Sequence, residues 1–562
     1  MHEWLNLGRV ASAPGLDERP VAWRGGELIS RSRFIADVAA WHAAFSAQPG
    51  PCVALYFDDG YEFAAALYGA WHAGKKVFLP GDAQPATLAS LMPRVQACAG
   101  ELPGAIRPAT PTQPWRPEPL DLASTQLVVF TSGSSGEPSA IDKHLGQLDA
   151  EVHNLQAAFG DRFSAATTFH STVSHQHIYG LLFCTLWTLA AGRAFETSRL
   201  VYPEQMAVRL AGGPSVLVSS PAHLKRLPEG LDWAPARSCL QSIFSSGGPL
   251  PPESAQAAFT LLGHSPTEVY GSSETGGIAW RQRAWHGDRW QGLPGVQWRL
   301  QDDVLCVRSL TLPDPQNWWE TTDRIQLLED GGFVLLGRVD RIVKIGEKRV
   351  SLTAIEAALT ALPEIEEARA LLLGEAASAR LAVVAVPTQA GWQALQAQGK
   401  RALNEKLRAL LLQSVERVAL PRRFRYVHAL PVNSQGKSTE ALLSALFRPL
   451  LPQAEWSRRD ATEARLAVQV TPDLAVLDGH FPGAPVLPGV AQLHWAIEFA
   501  RTCFTLPGRF LRAEALKFQR PVIPTVRLEL ALRWRAETGQ LSFEFTTHEG
   551  VHSSGRVVFA QD

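Results

Sequence analysis

Short apolar runs alternate with amphipathic stretches through the first half of the chain. Val53–Phe57 reads as a buried strand, Tyr61–Ala73 as an amphipathic helix stopped at Gly74, and Lys76–Leu79 as a second strand. Strands alternating with helices of this length predict βαβ units and a parallel sheet. A Pro-rich connection over 103–119 leads into a β-branched strand, Leu127–Phe130, and a helical pattern resumes near His144 and runs to Phe159. A long apolar segment, Leu181–Ala191, precedes three further strands at Ser215–Ser219, Gln241–Ser245 and Thr267–Tyr270. Past Pro294 the pattern shifts to short strands and turns, with a helix around Thr353–Leu362. In the last hundred residues, strict alternation marks strands at Ala464–Val470, Val526–Trp534, Leu541–Thr547 and Ser553–Phe559, with one helix running to about Phe504. The expectation is a multidomain α/β protein. It has a large N-terminal domain with parallel sheets (1–336), a small mobile α+β subdomain (337–448), a linker (449–458) and a C-terminal α+β domain (459–562) in which an antiparallel sheet wraps one helix.

Composition narrows the class without naming it. The chain has 562 residues, 46% of them hydrophobic, and a formal net charge of -1, so bulk charge draws it neither to nucleic acid nor to a membrane surface. Six cysteines, at 52, 98, 184, 239, 306 and 503, show no metal-ligand spacing and fit reduced thiols. The residues after Met1 lack the basic and apolar regions of a signal peptide, and no run of about 18 apolar residues is present to span a bilayer. A cytoplasmic location follows as an expectation.

Candidate chemistry gathers where strands end in small residues. After Phe130 come Thr131, Ser132, Gly133, Ser134, Ser135 and Gly136, hydroxyls and glycines that let backbone N–H groups approach an anion. The loop is not a Walker A motif, because Gly136 is followed by Glu-Pro-Ser. On its own it reads more readily as a Ser/Gly-rich surface turn. Two more strands end alike, in Ser246-Gly247-Gly248 and in Tyr270-Gly271-Ser272-Ser273-Glu274, and ligands of open α/β sheets bind outside such strand ends. Glu274 is placed to hold a Mg2+ that bridges phosphates. His175, Gln176, His177 and Tyr179 cluster at the start of the apolar segment, as a polar mouth over an apolar pocket or as histidines satisfied by turn carbonyls.

Taken with Thr322-Asp323, Gly337-Arg338-Val-Asp340 and Pro431…Gly436-Lys437, these motifs resemble the acyl-adenylate-forming superfamily of acyl-CoA synthetases, aryl-acid ligases and nonribosomal adenylation domains, over roughly the first four-fifths of the chain. The resemblance implies ATP and Mg2+ as cofactors, a triphosphate clamp at Thr131–Ser139, Glu274 as metal ligand, and Tyr270 with Ser246–Gly248 as walls of the adenine slot. It further implies Asp323 as acceptor of the ribose hydroxyls with Arg338 beside it, Lys437 as the mobile lysine, and Asp340 as the hinge. The loop departs from the family by ending Pro138-Ser139 where Pro-Lys is usual, so Lys143 is expected to reach the β- and γ-phosphates from the helix start. No acid stands where an amino group would be gripped, and His175-Gln176 is closer to the His-Asn pair of aryl-acid ligases. The resemblance therefore implies a small aromatic acid as substrate, with a medium-chain acyl-CoA or fatty acyl-AMP ligase as the alternative.

In the C-terminal region, His480-Phe-Pro-Gly483…Leu487-Pro-Gly489-Val490 resembles the hotdog-fold 3-hydroxyacyl-carrier-protein dehydratases. The resemblance implies His480 as base and Gly489 as helix-start donor to the thioester carbonyl. The acid position, fourteen residues on, is His494 where that family has Glu or Asp, and Glu498 lies a helical turn further. Either a His/His dehydratase or a hotdog that only binds carrier protein or dimerises fits these residues. The pairing resembles aryl polyene and xanthomonadin-type pigment synthesis. It implies an acyl carrier protein partner whose phosphopantetheine (or CoA) accepts the acyl group, and a homodimer through the hotdog. A non-enzymatic scaffold with a degenerate ATP site is the remaining alternative.

Overall fold

The computed structural model describes all residues except 1–3, 84, 133–137, 346–347, 375–379, 413–419, 434–436, 473, 478–479, 482–483, 508 and 561–562. The chain divides into two compact units, Met1–Leu442 and Leu443–Asp562.

The first unit is built on two large sheets. One has five strands in the order Ala97–Gly100, Cys52–Tyr56, Lys76–Leu79, Gln126–Ser132, Pro138–His144; the first four are parallel and the last returns antiparallel. The second has nine strands, with a parallel centre running from Thr267–Ser272 through Leu240–Ser245, Ser215–Ser219, Thr168–Ser171 and Ala194–Glu196 to Pro20–Arg24, and antiparallel edges. The expected βαβ pattern is thus present, and purely apolar strands such as Val216–Val218 are fully buried, as parallel strands covered on both faces must be. Helix Gly60–His72 starts where predicted because Asp59 accepts hydrogen bonds from the Tyr61 and Glu62 amides at 3.0 and 2.9 Å. It shares one core with helix Leu145–Phe159 and with the apolar segment, which is helical from Ile178 to Ala191 with a π-helical stretch at Leu181–Leu186. Such wide turns are frequent at functional sites.

A four-stranded antiparallel sheet over Val296–Arg338 follows, then a hairpin, helix Leu352–Thr360 and a three-stranded sheet of Ile365–Leu373, Arg380–Pro387 and Arg423–Tyr426. In the second unit, six antiparallel strands wrap helix Gly489–Arg501. Trp495 on that helix is completely buried, and its indole N–H donates to the Leu450 carbonyl at 2.8 Å. Burying an indole of that size contributes several kcal/mol, on the order of 25 cal/mol per Å2 over about 200 Å2.

The expected linker is only partly a connection. Ala454–Arg459 is a strand paired antiparallel with Glu463–Gln469, and the Pro449 carbonyl accepts from the Ala475 amide at 2.9 Å. Residues 449–458 therefore belong largely to the second unit. The sequence masks this because Ala-Glu-Trp-Ser-Arg-Arg is an edge strand whose residues are mostly exposed and charged.

Candidate functional site

A cavity of about 150 Å3 opens among the strand ends of the nine-stranded sheet. Leu155, Ile178, Leu182, Phe183, Val269 and Leu293 give it an apolar wall. Its polar lining comes from Glu151, His177, Tyr179, Ser220, Ser246, the Gly271–Ser273 run and Lys437. A mostly apolar concavity with a few converging polar groups is what a small organic acid needs.

The structure places the predicted ATP-site residues as follows. Thr131 and Ser132 end the strand Gln126–Ser132, in register with Ser139 and Pro138, while Gly133, Ser134, Ser135 and Gly136 lie outside the described residues. Ser246 and Gly247 line the cavity, and the Ser246 hydroxyl donates to the Val269 carbonyl at 2.9 Å; Gly248 follows as an exposed residue. The Tyr270 ring packs against Trp290 and Phe333, and its hydroxyl donates to Asp323 Oδ2 at 2.7 Å. Burial and the neighbouring carboxylate raise the Tyr270 pKa, so the phenol stays a donor. Asp323 stands opposite Arg338 in the strand register, and Arg338 is exposed. Asp340 lies in the short helical turn Val339–Arg341.

Glu274 occupies the tight turn between Thr267–Ser272 and Gly276–Gln282 and is half-buried. One carboxylate beside a site for phosphates suits Mg2+, which keeps most of its waters and takes few protein ligands. Lys437 follows a turn in which its amide donates to Asn433 Oδ1 at 3.0 Å. Lost hydration draws the Lys437 pKa down; Glu274 opposes that shift and Arg338 adds to it. His177 is half-buried, with its pKa pushed down to about 4 by lost hydration and by the Lys437 and Arg199 charges, so it is a neutral imidazole at neutral pH.

Two predicted groups are engaged differently from the expectation. Lys143 lies just before helix Leu145–Phe159, and its ammonium is held by acceptors of the protein itself. It lies in the strand Pro138–His144, is 2% exposed, and donates to the carbonyls of Glu274 at 3.1 Å and Thr311 at 3.0 Å, with Glu151 Oε1 at 3.9 Å. Strand alternation turns its side chain inward, and these buried acceptors occupy its ammonium. His175 and Gln176 are not in the cavity lining: both side chains donate to the Phe57 carbonyl, at 2.9 and 3.3 Å, and His175 stacks near Phe63 at 4.5 Å. Burial pushes the His175 pKa down to about 4. The residues that face the cavity from this cluster are His177 and Tyr179.

Sequence reasoning missed Glu151. It sits on the inward stripe of helix Leu145–Phe159 with Leu148, Val152 and Leu155, and an acid inside an apolar stripe is the signal that could have found it. Gln147, on the same helix, donates to the Thr311 carbonyl at 3.0 Å.

In the second unit, Gly489 opens its helix after Pro488, and a Cβ there would come within 2.7 Å of the Phe518 ring. A side chain at 489 is thereby excluded without movement of that ring. His494 is exposed on the helix, His480 is half-buried with Nδ1 lacking a hydrogen-bond partner, and Glu498 is engaged by Arg501 at 2.9 Å.

Comparison with known proteins agrees with this division. Residues 82–307 match the model of the AMP-binding enzyme family, and residues 456–556 that of the ApeI-like family, described as ApeI dehydratase. The chain is similar to a 4-coumarate–CoA ligase of Rhodobacter capsulatus, 28% identical over 56% of this chain and 76% of that protein. It is also similar to an L-proline–[L-prolyl-carrier protein] ligase of Pseudomonas fluorescens, 24% identical over 72% of this chain and 90% of that protein. In structure, ATP-bound MatB from Rhodopseudomonas palustris superposes with a TM-score of 0.64 at 17% identity, covering 79% of this chain and 98% of that one, a likeness of fold. The chain is an enzyme in which an AMP-binding, acyl-adenylate ligase domain that activates a carboxylic acid with ATP is fused to a hotdog-fold, ApeI-like domain.

Proposed function

We propose that the ligase activates an aromatic carboxylic acid of the hydroxybenzoate kind and passes it to the phosphopantetheine thiol of an acyl carrier protein. The observation that carries this reading is the cavity itself: an apolar wall of Leu155, Ile178, Leu182, Phe183, Val269 and Leu293, with His177 and Lys437 as polar lining. In the first step a carboxylate oxygen attacks the α-phosphorus, the bond to the bridging oxygen breaks, and pyrophosphate leaves. Lys437 gathers the charge shared by the carboxylate and the α-phosphate. Neutral His177 donates or accepts a hydrogen bond without competing for that charge. Asp323 accepts from the ribose hydroxyls, held in place by the Tyr270 hydroxyl at 2.7 Å. Glu274 would hold Mg2+, which would supply positive charge to the triphosphate. Gly133–Gly136 remain the assigned phosphate clamp, and Asp340 the hinge. In the second step the carrier thiol attacks the acyl carbonyl and AMP leaves.

The similarity to a coumarate ligase and to a carrier-protein ligase supports aromatic substrate and carrier acceptor respectively. For the hotdog we propose a 3-hydroxyacyl-carrier dehydratase role with His480 as base, His494 as acid and Gly489 as carbonyl donor. Fusion of the two activities suits loading of an aryl starter in the synthesis of aryl polyene or xanthomonadin-type pigments. Homodimerisation through the hotdog is supported by the edge strand Phe510–Phe518, where Phe510, Leu511 and Phe518 are 48%, 45% and 51% exposed.

The test is ATP–pyrophosphate exchange over a panel of aromatic and aliphatic acids, followed by transfer to holo-carrier protein. Hydroxybenzoates are expected to be the best substrates, and Lys437→Ala to abolish exchange. An aliphatic optimum overturns the substrate class, and transfer only to free CoA overturns the carrier.

A further inference from the structure

Glu151 has no part in the adenylation chemistry, yet its position is costly. It is 5% exposed and contributes to the cavity wall. Oε2 accepts from the Gly277 amide at 3.3 Å, and Lys143 supplies a counter-charge. That ammonium is 3.9 Å from Oε1, too long for a hydrogen bond, and Oε1 has no hydrogen-bond partner. Burial raises the Glu151 pKa, and the Lys143 charge and the Gly277 amide oppose the rise.

The backbone around the carboxylate is shaped to admit it. A Cβ on Gly276, whose φ is +70°, would fall 2.6 Å from Glu151 Cδ and 2.9 Å from Oε1. Only glycine there leaves room for the acid. A buried carboxylate oxygen left unpaired is costly, so the site is complete only when something donates to it. The charged neighbour of Glu151 is Lys143, whereas those of Lys437 are Glu274 and Arg338. Of the polar groups lining the cavity, Glu151 and Lys437 thus have different charged side chains as their nearest neighbours.

We infer that Glu151 is a specificity-determining residue: its Oε1 accepts a hydrogen bond from a hydroxyl or amino group carried by the acid substrate away from its carboxylate. Substrates lacking such a donor leave Oε1 unpaired. Phenolic acids and arylamine acids share this chemistry, and benzoate or methoxybenzoate lacks it. The inference rests on the acid-activation reading above and narrows its substrate class.

The test compares kcat/KM for exchange on 4-hydroxybenzoate, 3-hydroxybenzoate, 4-aminobenzoate, benzoate and 4-methoxybenzoate, first with the wild-type chain. Sites built around a buried substrate hydroxyl reject the analogue lacking it by up to about 10^4-fold, and a preference of at least about 100-fold for a donor-bearing acid is expected. The hydroxy and amino arms show which donor the site takes. Glu151→Gln should cut that preference at least roughly 10-fold, and Glu151→Leu should bring it near unity, with thermal melting checking that each variant is folded. A wild-type preference within about 3-fold, or a preference unchanged in folded Glu151→Gln, overturns the inference while leaving aromatic acid activation intact. If only aliphatic acids support exchange, the aromatic reading fails, and ω-hydroxy acids against plain alkanoates then decide the role of Glu151 by the same ratios. Exchange with no acid of either kind overturns both.

Discussion

Replacing Lys143 with Met separates a structural cation from a phosphate ligand. The ammonium donates to the Glu274 and Thr311 carbonyls and faces Glu151. Thr311 keeps a second donor in Gln147, so only the Glu274 carbonyl loses its partner, at about 1 kcal/mol. The larger effect is on Glu151, which becomes a buried acid without a counter-charge and protonates rather than remain ionised. Its ordinary pKa is 4.5, so holding it neutral at pH 7 costs about 2.5 pH units at roughly 1.36 kcal/mol each, or ~3.4 kcal/mol. In the variant the folded state binds a proton that the unfolded state has released, so stability is lost as pH rises above 4.5. Because the wild-type Glu151 pKa is itself raised, the destabilisation relative to wild type is at most about 4 kcal/mol at pH 7, shrinking to about 1 kcal/mol near pH 4.5. Urea midpoints for wild type and variant between pH 4.5 and 7.5 give the trend, and the double replacement Lys143→Met with Glu151→Leu should recover part of the loss. In the same variant the KM for ATP should stay within about 3-fold of wild type, any activity loss appearing in kcat through the Glu274 turn. A pH-independent midpoint together with a tenfold rise in KM for ATP would refute this reasoning and return Lys143 to the phosphates.

Tyr270→Phe keeps the ring packed against Trp290 and Phe333 but removes the 2.7 Å donor to Asp323. A charge-assisted bond of about 1.5–2 kcal/mol corresponds to a rise of roughly 10- to 30-fold in the KM for ATP, checked by exchange kinetics, and an unchanged KM sinks the assignment of Asp323 to the ribose. Because lost hydration lowers the Lys437 pKa, its charge is lost on the alkaline side at lower pH than for an ordinary lysine, and the alkaline limb of the exchange profile moves down with it. Arg338→Gln removes a like charge, so that limb should move back up; a shift to lower pH would contradict the geometry.

Elements whose periodicity matches their burial were legible in the sequence. The parallel strands that were expected, helix Gly60–His72 and the alternating strands of the second unit appear within about three residues of their expected bounds, whereas the parallel strands Pro20–Arg24, Ala97–Gly100, Thr168–Ser171 and Ala194–Glu196 carried no expectation. Pro138–His144 was not legible as a strand because it pairs at a sheet edge, where Asp142 is exposed and the two apolar residues, Ala140 and Ile141, are adjacent and show no alternation. That single omission moved Lys143 from a strand interior to a supposed helix start. His175 and Gln176 fail for a different reason: the motif identifies a polar cluster, but which members face the cavity depends on the Phe57 carbonyl, a partner 118 residues distant from His175. Long-range backbone acceptors leave no trace in local sequence.

Those two errors have a common physical content. In each, a charged or polar side chain looked available for substrate because its motif was considered without the acceptors that the fold brings to it. Lys143 ties three elements together: the Glu274 turn, the Thr311 carbonyl, and the Glu151 carboxylate on helix Leu145–Phe159. The Thr311 hydroxyl extends the link, donating to the Thr275 carbonyl at 2.6 Å, next to Glu274. A buried cation spanning these groups couples the residue assigned to Mg2+ with the wall of the acid cavity. Filling Oε1 of Glu151 with a substrate donor would therefore alter the electrostatic load on the ammonium that anchors the Glu274 turn. Acid specificity and metal-loop geometry would then be read through one lysine, and the departure of the phosphate loop from its family pattern acquires a counterpart elsewhere in the site.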